Sequence, residues 1–174
     1  MVQRRILAIT LVVTTAQLAG APRGAAADPA TCATRSESRS LDFWLGDWTI
    51  SYPGAPSASH STVSLALDKC LLVESWDGGK GHRGQNLFAY SADDQSWRGI
   101  FADNQGRVHT FEGTVTAGTA EFRGTNRGAD GAAVLDRIRV VRVSPDRVTQ
   151  TWEKSSDRGR TWTTVFHGDY ARTR

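Results

Sequence analysis

Glu74 and Trp76 share one face of an alternating run over residues 70–76, an acid beside a large aromatic ring. Val148, Gln150, Trp152 and Lys154 share a face of a second run, over 147–154, with Glu153 on the opposite face. Arg137 and Arg139 lie together on one face of the run before it. With these faces turned inward, Glu74 meets Arg137 or Arg139, and Asn86 and Gln150 add amide hydrogen bonds. A carboxylate set among an arginine, amides and tryptophans orients the polar end of a small ligand. Desolvated, such a carboxyl has a raised pKa and can serve as a general acid or base. Turned outward, the Glu and Arg side chains are cross-strand surface pairs instead. Trp76, Trp97 and Trp152 are the candidate pocket walls. Asp103 is the second acid, and its place inside a cavity or at its rim bears on any catalytic reading.

Other chemistries lack their residues. His60, His82, His109 and His167 show neither His-x-His nor His-Glu-x-x-His spacing, so no metal site is expected. The chain has no Gly-x-Ser-x-Gly elbow and no phosphate-binding loop, which removes support for nucleophilic catalysis. No cofactor is expected.

The elements that must position these side chains are short strands. β-type runs recur over 47–52, 62–67, 71–76, 85–90, 97–102, 107–112, 120–125, 135–143, 147–154 and 161–170. Turn residues separate them, among them Asp77-Gly78-Gly79 and Ser144-Pro145-Asp146. Many short strands at this spacing, with no helical stretch between, predict an all-β meander of about 9–10 strands closing into a small antiparallel barrel. Ahead of them, Leu41, Trp44, Leu45 and Trp48 have helical spacing and predict a single turn ending near Gly46.

The chain has 174 residues, a one-domain length. Residues 1–27 read as a signal peptide: Arg4 and Arg5, an apolar run over 6–18, and an Ala-x-Ala site with cleavage expected after Ala27. That run is too short for a membrane span, which takes about 20 apolar residues. Three of the 21 basic residues lie in 1–27, so 18 basic side chains face 18 acidic ones in the remainder. No Lys/Arg block survives there, and a nucleic-acid partner is not expected. Cys32 and Cys70 are the two cysteines, and in an oxidising compartment an even pair predicts a disulfide. It ties the lead, 28–40, to a barrel domain over 41–174.

The segment Phe43-Trp44-Leu45-Gly46-Asp47-Trp48 resembles the Gly-x-Trp signature of lipocalins and other calycin barrels, where the Trp closes one end of the barrel under a late Arg. It is similar, more closely, to a family of exported bacterial proteins of unknown function with a Phe-Trp-Leu/Ile-Gly-Glu/Asp-Trp motif. The segments 70–76, 85–90, 97–103, 150–153 and 166–170 extend that likeness over nearly all of the mature chain. The resemblance implies a calycin-like barrel and export, with Trp44, Gly46 and Trp48 structural. The lipocalin Thr-Asp-Tyr motif and the glycine run of haem-binding nitrobindin barrels are missing. The segment Ser155-Ser156-Asp157-Arg158-Gly159-Arg160-Thr161-Trp162 resembles the Asp-box hairpin of sialidase-like propellers. A propeller needs far more chain, so Asp157, Gly159 and Trp162 are read as a structural turn device.

Small barrels are either filled by side chains or hold one small ligand. The preferred reading is an exported barrel that binds a small, partly apolar molecule in its interior. The alternatives are a solid barrel acting through its surface, and a barrel isomerase, cyclase or hydrolase using an interior carboxylate.

Overall fold

The computed structural model describes residues 31–54, 58–128 and 130–173, so the expected signal segment lies outside the described residues. Ten strands follow one another as β1 (Gly46–Ser51), β2 (Ser59–Ala66), β3 (Leu71–Asp77), β4 (Arg83–Ser91), β5 (Ser96–Asp103), β6 (Val108–Thr116), β7 (Thr119–Arg127), β8 (Ala133–Ser144), β9 (Arg147–Ser155) and β10 (Thr163–Arg172). Each pairs antiparallel with the next, and β10 pairs back with β1, so the sheet closes with no free edge. The expected all-β, up-and-down barrel is what the chain forms. All ten alternating runs became strands, because turn residues break the chain wherever the alternation stops.

Alternation sorts the side chains. Along β9, Val148, Gln150 and Trp152 face the lumen, while Glu153 pairs outside with Arg137 of β8. At one end the lumen is packed solid with Trp44, Trp48, Ile50, Val63, Leu72, Phe88, Phe122, Ile138, Val140 and Val148. A short helix α1 (Ser36–Arg39) and a 3-10 turn over Asp42–Trp44 cap that end and drive Trp44 into it. Trp44 and Trp48 are essentially inaccessible to water, and burying two such rings is among the largest single contributions a small core receives. The last strand seals the seam: the Arg172 guanidinium lies 4.4 Å over the Trp48 ring and donates to the Leu45 carbonyl at 2.9 Å. Gly46 is held at φ +128°, where any other residue is strained, and a Cβ there would displace the Arg172 guanidinium.

Cys32 and Cys70 form a disulfide that joins the lead to the turn between β2 and β3. That turn runs through three consecutive residues with positive φ, Leu67, Asp68 and Lys69, an unfavourable backbone for residues with side chains. The disulfide and a hydrogen bond from Arg39 to the Lys69 carbonyl brace it.

At Asp157, the carboxylate caps its own turn by accepting from Thr161 N at 2.9 Å, Thr161 Oγ1 at 2.7 Å and Ser155 Oγ at 2.8 Å. These bonds hold its pKa down to about 2. Gly159 takes the left-handed φ of +85°, and Trp162 Nε1 donates to its carbonyl.

Candidate functional site

Past the middle of the barrel the lumen is no longer filled. A cavity of about 350 Å³ opens toward the end opposite Trp44, within the size range of small-molecule pockets. Its walls are aromatic: Trp76 from β3, Phe101 from β5, Trp152 from β9 and Phe166 from β10. Phe101 and Trp152 meet edge to face at 5.4 Å. Gly84 of β4 makes room for the Phe101 ring, since a Cβ there would stand 2.7 Å from it. A bulge in β10 between Thr164 and Phe166 turns Val165 to the rim, where it is half exposed.

The floor is polar. Glu74 is 1% exposed and accepts from Ser61 Oγ at 2.7 Å, Asn86 Nδ2 at 2.7 Å and Tyr170 Oη at 3.2 Å. Burial raises its pKa, and those three donors offset only part of the cost of the charge. Tyr170 also bonds Gln150 Oε1, and its own pKa is driven well up by burial and by the neighbouring Glu74. Asn86 Oδ1 is buried without a hydrogen-bond partner among the described residues, although Asn86 borders the cavity. Leaving a buried amide oxygen unpaired costs about 1–3 kcal/mol, so Asn86 is the residue of the floor whose hydrogen bonding is incomplete.

On the wall, His109 of β6 sits against Trp152 at 4.9 Å between ring centroids and places Nδ1 3.2 Å from Asp136 Oδ2. Asp136, from β8, also accepts from Trp152 Nε1 at 2.6 Å and Asn126 Nδ2 at 2.7 Å, with Lys154 Nζ at 3.8 Å. Burial pushes the Asp136 pKa up, but the bonds from His109, Trp152 and Asn126 outweigh it and leave the carboxyl below its ordinary value.

Of the residues singled out from the sequence, Glu74, Trp76, Asn86, Gln150 and Trp152 come together around this cavity. Four do not. Arg137 and Arg139 lie on the outer face, bonded to Glu153 at 2.8 Å and Glu121 at 3.0 Å, so neither meets Glu74. The register decides this: Asp136 and Ile138 face inward, which turns the two arginines out. Trp97 is buried in the packed half against Tyr90 rather than in the cavity wall. Asp103 sits at the rim, where its carboxylate caps the β5–β6 turn through the N–H groups of Gln105 and Arg107. It also binds the Arg107 guanidinium at 2.7 Å and lies 3.0 Å from His82 Nε2. These bonds overcome its desolvation and depress its pKa far below the ordinary range.

Sequence reasoning missed Tyr170, Ser61, His109 and Asp136. One signal was available for the last two, because His109 and Asp136 occupy inward positions of their strands. Polar residues there are either paired or functional.

No helix among the described residues is long and apolar enough to cross a membrane, and no group of three or more His, Cys, Asp or Glu among them could hold a metal ion. The chain matches no protein-family profile, and no curated protein matches it. The closed ten-strand antiparallel barrel is compatible with the calycin and lipocalin-like fold.

Proposed function

We propose that the chain is an exported barrel that binds a small, planar, partly apolar molecule in the open half of its lumen. Residues 1–27 are removed near Ala27, and 28–40 form a lead tied to the barrel. The observation that carries the reading is the cavity of about 350 Å³ with aromatic walls and an unpaired buried acceptor, Asn86 Oδ1, on its floor. A lumen packed throughout would leave no such cavity. A ligand with an O–H or N–H at one end satisfies Asn86, while its ring lies between Trp76, Phe101, Trp152 and Phe166. The disulfide suits an oxidising compartment. Likeness to calycin barrels is supported by Arg172 of the last strand lying over Trp48 at the closed end.

The test is a titration with 2-naphthol, a flat two-ring molecule carrying one O–H donor. Saturable binding at one site per chain, read by tryptophan fluorescence, is expected. Trp152→Ala should abolish it, and Asn86→Ala should weaken it about 3- to 10-fold, the worth of one hydrogen bond. Binding that neither variant changes, or no saturable binding, contradicts the reading.

A further inference from the structure

The cavity wall holds a histidine arranged as a base. His109 is 7% exposed and borders the cavity, with Nδ1 directed at Asp136. Asp136 has a fully buried side chain anchored by Trp152, Asn126 and Lys154. A carboxylate in that position holds the ring proton on Nδ1, which leaves the lone pair on Nε2. Among the described residues no group hydrogen-bonds to that Nε2. Ring contacts with Trp152 at 4.9 Å and Phe111 at 6.4 Å fix the imidazole plane.

The base and the polar floor occupy one row of the sheet. Glu74 pairs with Asn86, Asn86 with Phe101 and Phe101 with His109, strand by strand. Asn86 and His109 are two strand steps of about 4.8 Å apart, about 10 Å along the wall and less across the lumen. A small conjugated molecule held by Asn86 at one end therefore presents its other end to His109, with the Phe101 ring between.

We propose that this cavity is a proton-transfer site, in which His109, held by Asp136, removes a proton from a planar conjugated substrate whose hydroxyl or N–H end is received by Asn86. The inference rests on the cavity being a ligand site and adds a reaction to it. A C–H bond beside a carbonyl or on an electron-poor ring breaks, and its electron pair moves into the conjugated system. The proton goes to Nε2, and the resulting imidazolium faces the Asp136 carboxylate. Return of that proton to another carbon or oxygen of the same molecule completes a tautomerisation, which needs no other reactant. His109 touches the reacting atom, whereas Asp136 acts through it as a positioning residue.

The experiment uses 5-nitrobenzisoxazole, a flat bicyclic probe that has no O–H or N–H for Asn86 and so reports on the positioned base alone, the Asn86 end being read by 2-naphthol. Loss of its ring C–H proton to the base breaks the N–O bond and releases 2-cyano-4-nitrophenolate, followed by visible absorbance. The oxidised mature protein should turn it over with saturation, faster than free imidazole at the same concentration, and 2-naphthol should compete. His109→Gln should lower kcat about 100-fold, the usual scale of general-base catalysis. Added imidazole should restore part of the rate in His109→Ala, which a purely structural role for the ring does not predict. The isosteric Asp136→Asn should lower kcat with little change in KM, and it serves as the second reading if the His109 variants fail to fold. Competitive binding of the probe without turnover, or turnover indifferent to these substitutions, overturns the proton-transfer site and leaves the binding reading standing. Failure of both the probe and 2-naphthol to bind overturns the two together.

Discussion

The two halves of this barrel are made by the same ten strands yet obey different rules. In the half around Trp44, inward positions carry large apolar side chains, a helical turn plugs the opening and a disulfide pins the plug. In the half around Trp152, inward positions alternate aromatic rings with Glu74, Asn86, His109, Asp136 and Gln150, and the lumen stays open. Burial differs between them: the rings of the closed half are sealed, whereas Trp76, Trp152 and Phe166 of the open half are only partly buried. The lumen is filled in one and open in the other, and that decides which buried polar groups border a cavity. Both halves leave a buried polar atom unpaired, Trp44 Nε1 in the closed half and Asn86 Oδ1 in the open one, but of these two residues only Asn86 borders the cavity, together with His109. A fold made stable at one end can afford imperfect packing and desolvated polar groups at the other.

The largest effect expected from breaking this contrast is at the plug. Trp44→Ala should cost about 3–5 kcal/mol, the usual price of deleting a fully buried large aromatic. Denaturant unfolding measures it, and a loss under about 1 kcal/mol would mean that the closed half is not the stabilising one. Next comes the tie that holds the plug. Replacing Cys32 and Cys70 with serine opens a 38-residue loop, worth roughly 4 kcal/mol in the chain-entropy account. The midpoint of unfolding should fall accordingly, and an unchanged midpoint would make the lead dispensable.

The closed half was legible in the sequence because its signals are local. Gly46, Trp48 and the alternating runs are each read within a few residues, and the disulfide needed only a count of two cysteines. The open half was legible where alternation alone decides, as for Glu74, Trp76, Asn86, Gln150 and Trp152. It was misread where the phase of a strand matters: β8 admits either face, and only the closed register turns Arg137 and Arg139 outward. Trp97 faces inward but at the other end of the lumen, and depth along a barrel is set by strand stagger rather than by alternation. The contact between His109 and Asp136 spans 27 positions and two strand pairings, which no local pattern reports.

Two buried carboxyls sharpen the contrast within the open half. Glu74 has a folded-state pKa above its unfolded one, so its contribution to stability is present in acid and is lost as pH rises through the folded value. Asp136 is the reverse: its contribution is present above an ordinary Asp pKa of about 4 and is lost as pH falls through the lowered value. Glu74→Gln should therefore gain on the wild type by up to about 1.4 kcal/mol for each pH unit above about 4.5, until Glu74 is ionised in the folded state. Asp136→Asn should lose most at neutral pH and least in strong acid. Unfolding curves from pH 3 to pH 7 check both, and parallel pH dependence of the two variants would contradict the assignment.

The smallest effect belongs to the outer face. Arg137→Ala removes the pair with Glu153 and the contact over Trp162 at 4.3 Å. It should cost about 1 kcal/mol and leave 2-naphthol affinity unchanged. A change in affinity would place Arg137 in contact with the cavity after all.

The most direct test of the central claim is native mass spectrometry of residues 28–174, taken without refolding from a host that secretes them. The account predicts an adduct of a few hundred daltons at one per chain, lost in Trp152→Ala and retained in Arg137→Ala. A bare mass, with no uptake of 2-naphthol added in excess, would contradict it and leave the open half an unfilled defect of a solid barrel.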